Sequence, residues 1–244
     1  MLALALGFAL AIDHRGEHML AAAGHGVDAR FAKAGFRLRS VHVQGASPLA
    51  TADIVRATGL YKDQPMVGLD LGEVRRRVES VGWVKDVKVV RLLPDTLVVA
   101  VQERRQLAVW QHAGRTAVID DQGQVIAEAD PARFANLPLV VGEGADAAAP
   151  AILPMLAQRP QLMSRADALV RVDDRRWDLR LKDGSLIQLP ATGEEDALMR
   201  LEKLDERSHI LQLGFDRIDL RNPELVAVRP RQLGPGAPAP VAGA

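Results

Sequence analysis

Hydrophobic and polar positions change texture along the chain. Residues 1–12 (MLALALGFALAI) are apolar without a break, until Asp13, His14 and Arg15 interrupt them. Residues 13–35 are small, charged and dotted with glycine, the pattern of a helical or loose connector. From Phe36 a strand becomes legible. Phe36, Leu38, Val41 and Val43 alternate with Arg37, Arg39 and His42, slip phase once at Ser40, and end at Gly45. Thr51 opens a short helical pattern carrying Ile54 and Val55 and closed by Gly59. Leu71, Val74, Val78 and Val81 then repeat at three- and four-residue spacing, which predicts a helix over 70–81 with one apolar stripe against a sheet. Residues 84–93 and 96–103 are β-branched runs joined at Pro94-Asp95, a hairpin. Leu97, Val99 and Val101 face one way and Val98 and Ala100 the other, so the second run reads as an interior strand. The first unit is β-α-α-β-β.

The remainder reads as a mixed β-domain. Short strands at 107–110, 116–120 and 124–127 are separated by Ala113-Gly114 and by Asp121-Gln122-Gly123. Residues 145–150 read as a small-residue loop, and 152–158 as a short helix ended by Pro160. Strands follow at 169–172, 176–181 and 185–189, the last two joined by Lys182-Asp183-Gly184. Thr192 with Glu195 forms a capping box before Leu198, Leu201 and Leu204. Two final strands, 217–221 and 225–229, flank a turn at Asn222-Pro223. Beyond Pro230 the composition (GPGAPAPVAGA) cannot build a core, so 231–244 is expected to be a disordered tail. The fold class is α+β.

Composition narrows the function. Lysine plus arginine and aspartate plus glutamate are 31 each in 244 residues, and this neutrality argues against a nucleic-acid binder. Aromatics are 4% and cysteine is absent, which removes thiol nucleophiles, thiolate zinc sites and disulfides. Twelve helical residues span about 18 Å against a hydrocarbon core of about 30 Å. Taken locally, the apolar start is therefore the outer end of a membrane helix, a leaderless signal remnant or a buried helix of the fold.

No active site assembles. His14, Glu17 and His18 match the H-x-x-E-H pattern of inverted zinc peptidases, but a glycine sits inside the motif and no third ligand or packed helix pair accompanies it. The acidic pairs 120–121, 173–174 and 194–195 lie at turns or a helix start, where carboxylates are locally favourable. Arg75, Arg76 and Arg77 are flanked by Glu73 and Glu79, as on a solvated helix face, and His112 and His209 are isolated. There is no phosphate-cradling glycine loop, no G-x-S-x-G and no cofactor motif.

The stretch Gly82-Trp83-Val84-Lys85-Asp86-Val87, followed by Leu93-Pro94-Asp95-Thr96-Leu97 and Val101-Gln102-Glu103-Arg104, resembles a POTRA domain. Arg175-Arg176-Trp177-Asp178-Leu179-Arg180-Leu181 with Asp183-Gly184, and Ile218-Asp219-Leu220-Arg221, resemble the β-domain of the bacterial FtsQ/DivIB cell-division family. The resemblance covers about 36–230. It implies the outer end of a membrane helix at 1–12, a juxtamembrane connector at 13–35, a POTRA domain at 36–104 and a β-domain at 105–230.

It also implies a non-catalytic, cofactor-free, single-pass inner-membrane protein with its folded units in the periplasm at the division septum. Such a protein joins the partners FtsB and FtsL to septal wall synthesis by FtsW and FtsI, without nucleic acid or small-molecule substrate. In the family FtsB adds a strand to the last strand of the β-domain, which matches Leu225, Val226, Ala227, Val228 and Arg229. The family's charged contacts map to Arg175 and Arg221. A large aromatic often follows D-L-R in relatives, whereas Asn222 stands here. Read alone, 225–229 lacks clean alternation and also fits a buried core strand. The rival readings are a POTRA component of secretion or outer-membrane assembly, and a periplasmic zinc peptidase on His14, Glu17 and His18.

Overall fold

A computed structural model describes residues 35–231, in two compact units that divide between Arg104 and Arg105. The apolar start, the H-x-x-E-H motif and all but the first residue of the expected tail lie outside the described residues.

The first unit orders its elements as β1 (Ser40–Gln44), α1 (Pro48–Thr58), α2 (Leu71–Glu79), β2 (Val84–Leu92) and β3 (Thr96–Glu103). β3 lies between β1, its parallel partner, and β2, its antiparallel one, so the strand apolar on both faces is the central one. Leu97, Val99 and Val101 turn inward, as do Ile54 of α1 and Val74 and Val78 of α2. The first strand is shorter than its alternation predicts. Residues before Ser40 pair instead with the loop at 63–66, Leu38 donating to the Gln64 carbonyl and Asp63 to the Leu38 carbonyl. α1 starts ahead of Thr51 because Ser47 caps it, accepting from the Ala50 amide, and Pro48 suits the first turn. The Glu103 carboxylate takes the Ser47 amide and hydroxyl at 2.5 and 3.0 Å, tying the helix start to the end of β3. Gly45 has φ +80°, and any side chain there would collide with the Val101 carbonyl, so only glycine turns the chain from β1 into this cap.

The second unit is built on one nine-stranded sheet of order β12-β11-β10-β9-β8-β7-β4-β5-β6. Its strands are β4 (Gln106–His112), β5 (Arg115–Asp120), β6 (Val125–Ile126), β7 (Leu139–Val141), β8 (Ala166–Val172), β9 (Arg176–Leu181), β10 (Leu186–Gln188), β11 (Phe215–Asp219) and β12 (Ala227–Pro230). Three helices accompany it: α3 (Ala145–Ala157), α4 (Pro160–Arg165) and α5 (Glu194–Ser208).

Three local expectations are corrected. Residues 145–150 are not a loop but the opening turns of α3. Alanine is the best helix former, and Ala145 and Ala149 are fully buried because only so small a side chain lets the helix seat closely. Pro150 and Pro154 stand inside the helix, each deleting one backbone bond, and the helix nonetheless runs through both. Pro160 opens α4 as well as ending what precedes it. Thr192 does not cap α5. Gly193, at φ 76°, holds the cap position with no side-chain bond, and the Glu195 carboxylate goes to Arg159 at 2.6 Å. One strand was illegible: β7 has three residues, too few for a period, yet it pairs in parallel with both β4 and β8 and makes α3–α4 a crossover connection.

Cross-strand register explains the core. Val140, Leu169, Leu179, Ile187, Ile218 and Val228 stand side by side across β7, β8, β9, β10, β11 and β12. The first five are buried against α3, α4 and α5, and the row ends at Val228, 42% exposed. On the opposite face Asp178, Gln188, Asp219 and Ala227 form the neighbouring row.

Candidate partner-binding edge

β12 is the open edge of the sheet. It pairs only with β11, antiparallel, through Ala227–Asp219, Val228–Ile218, Arg229–Arg217 and Pro230–Phe215, with an irregularity between Phe215 and Arg217. All four of its residues are exposed, so the alternative of a buried core strand is excluded. An antiparallel edge strand directs alternate amides and carbonyls away from its neighbour, leaving a ladder template. Pro230, at the strand's end, lacks an amide and is tolerated at an edge.

The strand is shifted from its expected bounds. Leu225 and Val226 fall outside it, and Pro230 joins it. The reason is the turn. The Asn222 side-chain oxygen accepts the Glu224 amide at 2.8 Å, an Asx turn that carries the chain past 224. Leu225 is 61% exposed, while Val226 packs partly onto the core.

Arg175 and Arg221, 46 residues apart in sequence, line one cleft of about 620 Å³ together with Arg176, Arg200, Asp196, Thr192 and Gly193. Arg175 follows a tight turn whose Asp173 and Asp174 both have positive φ, the pattern of a type I′ hairpin turn, with the Arg175 amide bonded to the Val172 carbonyl. Its side chain is exposed, and among the described residues no hydrogen bond or ion pair engages the guanidinium. Arg221 grips Asp219 in two-pronged fashion, at 2.6 to 3.0 Å. Arg176 lies 3.5 Å from the carboxylates of both Asp173 and Asp178. Asn222 joins the cleft only through its neighbours, its carbonyl accepting from Arg200 at 3.0 Å. Arg200 and Arg176 escape the sequence reading. The only signal for Arg200 is that it stands off the Leu198–Leu201 stripe, and Arg176 differs from Arg175 in nothing but strand parity.

The Arg221 guanidinium, its hydrogen bond above all, holds the Asp219 carboxyl below the ordinary value of 3.8, against the opposing effect of partial burial. Stability from this pair is fully present above that value and drains as pH falls through the lowered one. Asp219→Asn is therefore expected to leave acid unfolding of the second unit less steep below pH 4. An NMR titration placing the Asp219 carboxyl at or above the ordinary value would contradict this.

Among the described residues no group of three or more histidine or acidic side chains could hold a metal ion, and no helix is long and apolar enough to cross a membrane. A βααββ unit followed by a β-rich unit with a free edge and an arginine-lined cleft describes a two-domain protein that opens on a POTRA fold. Residues 36–104 match the FtsQ-type POTRA domain, and residues 108–221 the C-terminal domain of cell division protein FtsQ/DivIB. The chain belongs to the FtsQ/DivIB family of cell-division proteins. It is 63% identical to the cell division protein FtsQ of Caulobacter vibrioides over 239 residues, covering 98% of this chain and 79% of that one. It is 38% identical to that of Bradyrhizobium diazoefficiens over 196 residues, or 80% and 57% of the two chains, and 36% identical to that of Rhizobium meliloti over 188 residues, or 77% and 61%.

Proposed function

We propose that the chain is a non-catalytic scaffold of the division machinery that captures an extended segment of FtsB on β12. Through FtsB and FtsL it ties septal wall synthesis by FtsW and FtsI to the division site. In this reading residues 1–12 anchor the chain in the inner membrane and both folded units lie in the periplasm. The observation that carries the proposal is the row ending at Val228. Five buried apolar residues lead to a half-exposed sixth, so a strand added beyond it continues the core with an apolar side chain of its own. Backbone bonds then supply affinity, and side chains supply selection.

On the opposite face Arg229 stands beside Arg217, and the cleft adds Arg175 and Arg221, so the captured strand is acidic as well as apolar. Arginine pairs with carboxylates in two-pronged geometry. Titration of the FtsB periplasmic segment into the whole chain tests this. Arg175→Glu, which breaks no internal bond, is expected to weaken binding by about tenfold at low salt and less at high salt, mainly through a slower association rate. Equal affinity and equal salt dependence for the variant and the parent chain would refute the assignment of Arg175, and no binding by the parent chain would refute the scaffold reading.

A further inference from the structure

β12 has little of its own to hold it. Four exposed residues pair with a single neighbour, across an irregular register, and only Val228 meets the core row. Two arginines tie down the chain on either side of it, Arg200 reaching over from α5 to the turn before the strand and Arg231 leading out of the strand itself. In front, the Arg200 guanidinium donates to three backbone carbonyls of the preceding turn: Leu220 at 3.1 Å, Asn222 at 3.0 Å, and Pro223. Arg200 is itself fixed, because Leu198 and Leu201 on either side of it in α5 are buried. Behind, the Arg231 guanidinium donates to the Asp183 carbonyl at 2.8 Å and lies 3.4 Å from the Ser185 hydroxyl, on the turn between β9 and β10.

We propose that Arg200 and Arg231 are positioning residues that clasp the two ends of β12 and keep it ordered as a template before any partner arrives. The inference rests on the scaffold reading above, since it assigns the clasp a role in capture. Its physical content is preorganisation. A strand already ordered in the free protein loses no conformational freedom on binding, whereas a frayed one binds only in the fraction of time it is formed, and its apparent affinity falls by that fraction. A guanidinium suits the task because its planar fork spans several carbonyls at once, which an ammonium point charge does not.

Both residues are cationic and Arg200 lines the cleft, so direct contact with an acidic partner is the competing explanation, and two measurements separate them. Amide exchange is followed in the free whole chain for Arg200→Met, Arg200→Lys and Arg231→Met, and each is titrated with the FtsB periplasmic segment. The clasp requires faster exchange confined to 221–230, with β9 and α5 protected as before, and an affinity loss of about tenfold that matches the loss of protection. Arg200→Lys, which keeps the charge, is expected to behave as Arg200→Met does. Unchanged exchange with weakened binding, or a lysine variant that binds as the parent chain does, would overturn the clasp in favour of direct contact. Lost protection with unchanged affinity would overturn its role in capture. If the parent chain does not bind the segment, the scaffold reading fails, and the exchange experiment by itself still decides whether the two arginines hold the strand.

Discussion

Proline placed along β12 is expected to weaken partner capture in an alternating pattern. Successive residues of an antiparallel edge strand direct their amides to opposite sides, so Ala227 and Arg229 share one direction and Val228 has the other. A proline whose missing amide faced the open side removes a ladder donor and puts its ring where the partner must approach, but it costs no bond to β11. Those variants are expected to bind the FtsB segment about ten- to a hundredfold more weakly, as loss of a buried hydrogen bond entails, with an unchanged melting temperature. The opposite parity loses a bond to β11, and fold and binding weaken together. Titration and melting of Ala227→Pro, Val228→Pro and Arg229→Pro give both readouts. Leu225→Pro serves as a control, because Leu225 precedes the strand and is exposed. Equal binding by all three strand variants would exclude strand addition at this edge.

The largest effect on stability is expected at Trp177. It is 2% exposed on the inner face of β9, its carbonyl accepts the Leu189 amide at 2.9 Å, and the Arg171 guanidinium lies 5.2 Å from its ring centroid. Trp177→Ala removes that contact and opens a void between the sheet and the helices, a change that costs about 3–5 kcal/mol. Domains of this kind are stable by only about 5–15 kcal/mol, so the second unit is expected to melt on the order of 10–20 °C lower. Calorimetry should show the transition of the first unit in place, since that unit has its own core around Ile54, Val78 and Leu97. A shift of a degree or two would show that Trp177 is not the keystone its burial suggests. Trp177→Phe, which keeps an aromatic body, is expected to fall between.

Much of this architecture was legible because the first unit speaks in strong periods. The stripe Leu71, Val74, Val78 and the alternation Leu97, Val99, Val101 each point to one face, and each of those two elements formed within a residue or two of its predicted bounds. In the second unit the short strands β6 and β10 were legible from their flanking turns and β7 was not, but the order of the strands in the sheet left no local mark. Their places are set by partners distant in sequence, as when β10 lies in parallel beside β11 across the whole of α5. The site divides the same way. Ala227, Val228 and Arg229 were placed on the last strand by resemblance to a recognisable pattern, and they lie on it. Arg200 was missed, because a side chain that gathers carbonyls 20 to 23 residues away leaves no mark on local sequence. The opening of α3 misled for the converse reason: its small residues resemble a loop, and only burial against the sheet shows why alanine stands there.

The sheet of the second unit has two ends, and they are unequal. At one end β6 offers two residues, less than a turn of ladder; at the other β12 offers four and carries the apolar row to its tip. The unit is thus a template of valence one. On the proposed reading it is lengthened in a single direction, and one segment per chain is the expected stoichiometry of capture.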